Sequence, residues 1–116
     1  MKALVELAVR AALCGGKEIL EVYEKDFSVE YKDDNSPLTE ADQRANLIIE
    51  ESLRIAGKPI LSEEGRSIPY DERKGWNELW IVDPLDGTKE FIKKNGEFTV
   101  NIALIKNHFP VLGVIY

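Results

Sequence analysis

Residues 79–88 restrict the possible folds of this chain more than any other segment, because an apolar run ends directly in Asp-Pro-Leu-Asp-Gly-Thr. Leu79-Trp-Ile-Val82 has the composition of a buried strand. Pro84 fixes its own φ and favours an extended conformation at Asp83, so the turn after the strand is stiff. We therefore expect Asp83 and Asp86 at the C-terminal end of a strand, facing one point, where sheets packed with helices gather ligands.

Hydrophobic periodicity predicts two helices and several strands around that segment. Residues 2–25 and 39–56 have helical spacing, with Gly15-Gly16 indicating close packing or a break and Gly57 ending the second helix. Strands are predicted at 27–31, 59–62, 79–82, 98–105 and 111–116, a turn at 107–110, loops at 32–37 and 66–77, and a short helix at 88–93. We expect an α/β fold, a layered sandwich with two N-terminal helices on a largely antiparallel sheet.

Composition and charge limit the classes of partner. The chain has 116 residues, 44% of them apolar, which fits one modest domain or part of a larger one. Its net charge of −6 argues against a nucleic acid polymer, whose binding needs clustered cations, but permits a small phosphorylated substrate if a metal supplies positive charge. A single cysteine and no apolar stretch of roughly 18 residues indicate a cytoplasmic protein without a transmembrane segment, with peripheral attachment to the inner membrane face as a variant.

Glu63 is a third candidate metal ligand beside Asp83 and Asp86. Glu63 follows the predicted strand 59–62, so it joins Asp83 and Asp86 just past strand ends. Converging carboxylates repel one another and stay ionised together only when a cation lies between them. An all-oxygen set without His or Cys selects Mg²⁺, Mn²⁺ or Ca²⁺ over zinc, and two such ions can activate a water and stabilise a leaving oxygen. Free N–H groups at Gly87-Thr88, where a helix opens, can receive a phosphate. These features predict phosphate-ester hydrolysis.

Ordinary structural roles compete with these interpretations. Asp-Gly is usually a turn, and paired acids on loops are usually solvated. Taken alone, Glu63-Glu64 indicates surface charge, Asp42 a helix-start acid, His108 an exposed turn residue, and the lysines near the site (Lys89, Lys93 and Lys94) a solvated helix face. Haloacid-dehalogenase-type phosphatases carry Asp-x-Asp-Gly-Thr near the chain start. Here two residues separate the acids, which lie late in the chain, so that alternative fails.

Three segments carry a resemblance to a known family: residues 35–42 (Asn-Ser-Pro-Leu-Thr-Glu-Ala-Asp), 61–64 (Leu-Ser-Glu-Glu) and 80–88. Over essentially its whole length the chain resembles the N-terminal half of the bacterial 3'(2'),5'-bisphosphate nucleotidases, in the inositol monophosphatase and fructose bisphosphatase superfamily. Inositol monophosphatases usually have Thr-Asn-Phe after the Gly-Thr, so Lys89-Glu90-Phe91 favours the nucleotidase branch.

The resemblance implies Mg²⁺-dependent hydrolysis of the 3'-phosphate of 3'-phosphoadenosine 5'-phosphate to AMP, in sulfur assimilation and inhibited by lithium. By position it implies that two or more ions are bound by Glu63 (rather than Glu64), Asp83, the Leu85 carbonyl and Asp86. It also implies that Asp42 and Thr88 hold and deprotonate the attacking water. The substrate would be bound by Glu63, Leu85, Asp86, Gly87 and Thr88, with the Gly87 and Thr88 amides receiving the phosphate.

One motif of the family is missing from this sequence. The family carries a further metal-binding aspartate in a Trp-Asp-x-x-Ala-Gly motif in its C-terminal half, whereas Trp76 is followed by Asn77 and Trp80 by Ile81. The sequence also stops inside an apolar strand. We therefore expect residues 1–116 to be the truncated N-terminal portion of a metal-dependent phosphatase domain, weakly active or inactive alone and able to self-associate through an exposed strand edge. An inositol or sugar monophosphatase on the same site, and a non-catalytic fragment that only binds metal or a partner, stay open as alternatives.

Overall fold

Two long helices form most of the first half of the chain. The computed structural model describes residues 1–25, 27–34, 37–65 and 67–116, so the predictions at Asn35, Ser36 and Arg66 lie outside the described residues. Helix α1 spans Lys2–Tyr23, and α2 spans Glu40–Leu53 and continues as a 3₁₀ turn over Arg54–Ala56. Gly57 ends this second unit with a φ of 69°, in the left-handed region that favours glycine. Both predicted helices are confirmed.

The Gly15-Gly16 pair is a packing contact and not a break in α1. A Cβ added at Gly15 would lie 2.7 Å from Cδ1 of Ile49, which is fully buried on α2. Only glycine leaves room for such an approach between two helices. Of the two interpretations that the sequence left open, close packing is the one the structure confirms.

A two-stranded antiparallel hairpin lies between the helices. Strand β1 spans Val29–Tyr31 and pairs with β2, Pro37–Thr39. The predicted strand 27–31 is therefore too long, and the predicted loop 32–37 is wrong at its end, where Pro37 begins β2. Proline is tolerated at the first position of an edge strand, because no ladder hydrogen bond is required from its nitrogen there.

The remaining strands form one four-stranded sheet in the order β3-β4-β5-β6. Strand β3 (Ile60–Ser62) runs parallel to β4 (Glu78–Asp86), whereas β5 (Thr99–Lys106) and β6 (Phe109–Ile115) add antiparallel. The predicted α/β fold with a largely antiparallel sheet is confirmed. The predicted turn at 107–110 is too long: only the exposed pair Asn107-His108, with φ values of 51° and 71°, connects β5 to β6. A two-residue turn of this kind matches the twist of the strands.

Two short helices flank the central strand β4. Helix α3, Tyr70–Arg73, lies in the segment 66–77, so the prediction of a continuous loop there is wrong. A one-turn helix has too few residues to show a hydrophobic period, which is why the sequence did not indicate it. Helix α4, Thr88–Lys93, has the predicted bounds. Within the described residues, no helix is long and apolar enough to cross a membrane.

One face of the four-stranded sheet packs on α1 and α2. Trp80 and Val82 on β4, like Ile102 and Leu104 on β5, are at most 1% exposed. The helices contribute apolar residues to the same cluster, among them Ala8, Ala11, Ile19, Ala45, Ile49 and Leu53. Full burial of a large apolar side chain contributes about 1.5–3 kcal/mol. The cluster therefore holds β4, and the acids that β4 carries, in a defined position against α2.

Aromatic contacts hold α4 in place. Phe91 is fully buried, and its ring centroid lies 5.2 Å from that of Tyr23, 4.9 Å from that of Phe27 and 5.3 Å from that of Phe98. Tilted and edge-on pairs at such distances are favourable beyond the area they bury. Thr88, the first residue of α4, is thereby fixed relative to the end of α1.

Candidate metal and phosphate site

Asp83 and Asp86 face the same side of the sheet because β4 contains a bulge between them. The strand does not end at Asp83, as predicted, but continues to Asp86. Asp83 lies opposite Asn101 and Asp86 opposite Thr99, so three steps along β4 match two along β5. Side chains alternate between faces along a regular strand, and residues three apart would point to opposite sides. The bulge adds one residue to β4, so the side chains of Asp83 and Asp86 point to the same side of the sheet.

Pro84 explains why the ladder is interrupted here. Proline has no N–H to donate and is found within sheets mainly at edges, strand starts and bulges. Pro84 and Leu85 are both buried, and the two of them lie between the register pairs on either side. The sequence correctly predicted a constrained segment that carries both carboxylates on one side, but that segment is a bulge inside a strand and not a turn after it. That the two carboxylates converge on one point stays a prediction.

Glu63 lies beside Asp83 because β3 runs parallel to β4. The Glu63 N–H donates to the Val82 carbonyl at 3.0 Å. The Glu63 side chain is 66% exposed, whereas that of Glu64 is 8% exposed and accepts a hydrogen bond from Lys32 Nζ at 2.5 Å. Lys32 Nζ is also 4.0 Å from Glu63 Oε1. The surface-charge interpretation is thus wrong for Glu64, and the ligand role of Glu63 stays a prediction.

Asp42 and Thr88, which are 46 positions apart in the chain, meet directly. The Thr88 hydroxyl donates to Asp42 Oδ1 at 2.9 Å. Asp42 is fully buried, and its Oδ2 accepts the Thr39 N–H at 2.8 Å and the Thr39 hydroxyl at 2.6 Å. The reach back to the Thr39 N–H is one half of a capping box. Asp42 is therefore the helix-start acid that the sequence allowed, and it is also the partner of Thr88.

Gly87 makes the sharp change of direction between β4 and α4. Its φ of 91° lies in the region that favours glycine, and a Cβ there would be 2.8 Å from the Glu97 carbonyl oxygen. The carbonyl of Gly87 accepts the Phe91 N–H at 2.9 Å, which starts α4. The segment that follows Gly87 is thus positioned by backbone packing. The expected phosphate contact of the Gly87 and Thr88 amides stays a prediction.

These groups line one cleft of about 250 Å³. Six of the predicted site residues contribute to its wall: Glu63, Asp83, Leu85, Asp86, Gly87 and Thr88. Asp42 lies behind Thr88, to which it is hydrogen-bonded. Lys32 and Lys89 add positive charge to the same wall. The structure therefore brings together every residue that the sequence assigned to the site.

The charge balance in the cleft favours a cation. Burial raises the pKa of Asp83, and the carboxylates of Asp86 and Glu63 raise it further. Burial also raises the pKa of Glu64, although Lys32 opposes this. In the part of the chain that the structure describes, no three His, Cys, Asp or Glu side chains converge closely enough to form a ready-made metal cage. Mg²⁺ fits such a site, because it usually binds one or two carboxylates and completes its shell with water and substrate phosphate.

Sequence reasoning gave no role at the site to four residues in or beside the cleft. Lys32 and Glu64 form the ion pair described above, while Thr99 and Asn101 face the two aspartates across the strand pair. Lys32 lies in a polar segment that offered no signal. Asn101 did offer one, since a carboxamide between Val100 and Ile102 is unusual in an otherwise apolar strand.

Comparisons with known proteins show the family of this chain. The model of the inositol monophosphatase family matches residues 1–116. The 3'(2'),5'-bisphosphate nucleotidase CysQ of Salmonella typhimurium is 49% identical over 117 residues, which cover 97% of this chain and 47% of that protein. The crystal structure of CysQ from Bacteroides thetaiotaomicron has a TM-score of 0.85 and 54% identity, over 98% of this chain and 42% of that one.

A more distant structure shares the fold alone. It is an inositol monophosphatase/NADP phosphatase complexed with Mg²⁺ and phosphate, with a TM-score of 0.72 and 22% identity over 90% of this chain and 40% of that one. The chain spans about half the length of the curated relatives it matches. The match to the family model over the full 116 residues, together with these relatives, shows that the chain belongs to the inositol monophosphatase family.

Proposed function

We propose that the complete protein containing this chain is a Mg²⁺-dependent phosphomonoesterase that hydrolyses the 3'-phosphate of 3'-phosphoadenosine 5'-phosphate to AMP and phosphate. The observation that carries the proposal is the β4 bulge, which turns Asp83 and Asp86 to one face beside the Thr88–Asp42 hydrogen bond. The nucleotide substrate is supported by the 41–49% identity to curated proteins named 3'(2'),5'-bisphosphate nucleotidase.

The residues that would hold the ions are Glu63, Asp83, Asp86 and the Leu85 carbonyl, with two or more ions per site. When bound, Mg²⁺ supplies positive charge that lowers the pKa of a water and offsets charge on the phosphoryl oxygens. The cleft itself supplies a proton path. Thr88 Oγ1 can accept a proton from the attacking water while its own proton passes to Asp42 Oδ1, 2.9 Å away. No side chain has to form a bond to phosphorus, so the reaction proceeds without a covalent intermediate.

Phosphate release by the complete protein tests this proposal. We expect hydrolysis of 3'-phosphoadenosine 5'-phosphate in preference to inositol 1-phosphate, dependent on Mg²⁺ and inhibited by Li⁺. Asp83→Asn is expected to lower the rate by more than the roughly 10–100-fold that loss of an outer partner of a metal ligand costs. Asp71→Asn is the matched control, since its side chain is 88% exposed on α3 outside the cleft. Preference for inositol phosphate would favour the sugar-phosphatase alternative, and release unaffected by Asp83→Asn would refute the metal mechanism.

Three expectations from the sequence belong to the same proposal. Residues 1–116 alone are weakly active or inactive, because the resemblance assigns a further metal-binding aspartate to the other half of the family's domain. We expect residues 1–116 to self-associate through the edge strand β6, where Phe109 and Ile115 are 71% and 78% exposed. The protein acts in the cytoplasm, in sulfur assimilation. Gel filtration of the 116-residue chain beside the complete protein tests the second expectation.

A further inference from the structure

Asn101 connects the two strands of the site through its side chain. It lies on β5 opposite Asp83, and its Nδ2 donates to Asp86 Oδ2 at 3.1 Å. The Thr99 hydroxyl donates to Asn101 Oδ1 at 3.1 Å. The neighbouring residues of β5 that face the helices, Val100 and Ile102, are buried apolar side chains. Thr99 and Asn101 therefore share the face that carries the aspartates.

The two hydrogen bonds of Asn101 use the two ends of its carboxamide. A carboxamide has one acceptor end and one donor end, and it can be rotated to exchange them. Because an ionised carboxylate only accepts hydrogen bonds, the donor end of the carboxamide faces Asp86, and its acceptor end accepts the Thr99 hydroxyl, which holds the side chain in place. One oxygen of the Asp86 carboxylate is then held by a neutral donor, which restricts the direction of the carboxylate. An aspartate at position 101 would instead add a like charge beside Asp83 and Asp86.

We propose that Asn101 is a positioning residue for the metal site, which orients the Asp86 carboxylate and is itself oriented by Thr99. The inference rests on the proposed function, because it assumes that Asp86 binds the ion. Outer partners of this kind fix the direction of a metal ligand, and their loss typically costs about 10–100-fold in metal affinity. The competing explanation is that Asn101 only adds a hydrogen bond between β4 and β5.

Binding of Mn²⁺ alone, without substrate, separates the two explanations. The complete protein and its variants are titrated with Mn²⁺ by electron paramagnetic resonance, and unfolding midpoints are measured in EDTA. We expect Asn101→Ala to weaken Mn²⁺ binding about 10–100-fold. Thr99→Val is expected to weaken it less, because the carboxamide can still reach Asp86 in one of its two orientations. Asn95→Ala, which removes a carboxamide that accepts the Glu97 N–H in an exposed turn, is the control and leaves binding unchanged.

The double variant tests whether Thr99 acts through Asn101. If Thr99 acts only through Asn101, Thr99→Val in the Asn101→Ala background weakens binding no further. Unchanged Mn²⁺ affinity of Asn101→Ala, with or without a lower unfolding midpoint in EDTA, would overturn the positioning role. Asp83→Asn distinguishes this failure from failure of the proposed function: if it also binds Mn²⁺ like the unmodified protein, the metal site itself is wrong. If only Asp83→Asn loses binding, the site stands and the role of Asn101 falls.

Discussion

Gly87→Ala is expected to be costly, because it combines an unfavourable backbone conformation with a backbone contact. The φ of 91° at Gly87 places an alanine in the left-handed region, which costs about 1–2 kcal/mol. The loss of unfolded-state entropy returns about 0.4–1 kcal/mol, so the conformational part is about 1 kcal/mol. The new Cβ would also lie 2.8 Å from the Glu97 carbonyl oxygen and 3.4 Å from Phe98 Cα. Backbone must shift to relieve that contact.

Overpacking of this kind costs about 1–3 kcal/mol, which brings the total for Gly87→Ala to about 2–4 kcal/mol. Two matched controls isolate the contact. Gly57 and Gly96 have φ values of 69° and 78°, but a Cβ at either position would meet nothing within 4 Å. Gly57→Ala and Gly96→Ala should therefore each cost about 1 kcal/mol. Urea unfolding of the complete protein and the three variants measures the free energy of unfolding.

The same shift should affect the site. Gly87 joins Asp86 to Thr88, so relieving the contact with Glu97 moves one of them relative to the other. We expect phosphate release to fall in Gly87→Ala and to stay unchanged in Gly57→Ala. If all three alanine variants lose the same unfolding free energy, the contact with Glu97 contributes nothing and the reasoning is refuted.

Two further predictions concern Thr88 and Glu78. Thr88→Ser keeps the hydroxyl that donates to Asp42 and should retain most activity. Thr88→Val removes that hydroxyl and should lower kcat by about 10²–10⁴-fold with little change in KM. Equal activity of the two variants would exclude the proton path. The hydrogen bond from Lys58 lowers the pKa of Glu78, so its stabilising effect is present above the ordinary glutamate pKa and is lost as pH falls through the lower folded-state value. Glu78→Gln should flatten the stability profile below about pH 5 in thermal unfolding scans at low salt, and an unchanged profile would contradict this.

Local patterns were sufficient for the elements that carry the site. The helical period of residues 2–25 and 39–56, the apolar run before Asp83 and the start of α4 at Thr88 are properties of short stretches of sequence. They could be predicted because side-chain periodicity and turn chemistry act between residues a few positions apart. Segment boundaries were less accurate, as at Pro37 and in the hairpin between β5 and β6, because pairing partners decide where a strand begins.

Contacts between distant segments required the tertiary structure. The hydrogen bond between Thr88 and Asp42 joins two elements that sequence proximity does not relate, and only the family resemblance had placed them together. The ion pair between Lys32 and the buried Glu64, beside the exposed Glu63, joins the segment after β1 to the segment after β3. Periodicity and local spacing do not specify such distances, because those depend on how whole elements pack.

At Asp83 and Asp86, some features follow from the sequence and others from the packed sheet. The sequence by itself determined that two carboxylates, held by a proline, follow an apolar strand, since these are covalent neighbours with restricted backbone angles. The tertiary structure decided that the strand continues past Asp83, and that the bulge opposite β5 turns both acids to the face of Asn101. Which face a strand residue occupies depends on its register with the neighbouring strand, and register is a property of the packed sheet.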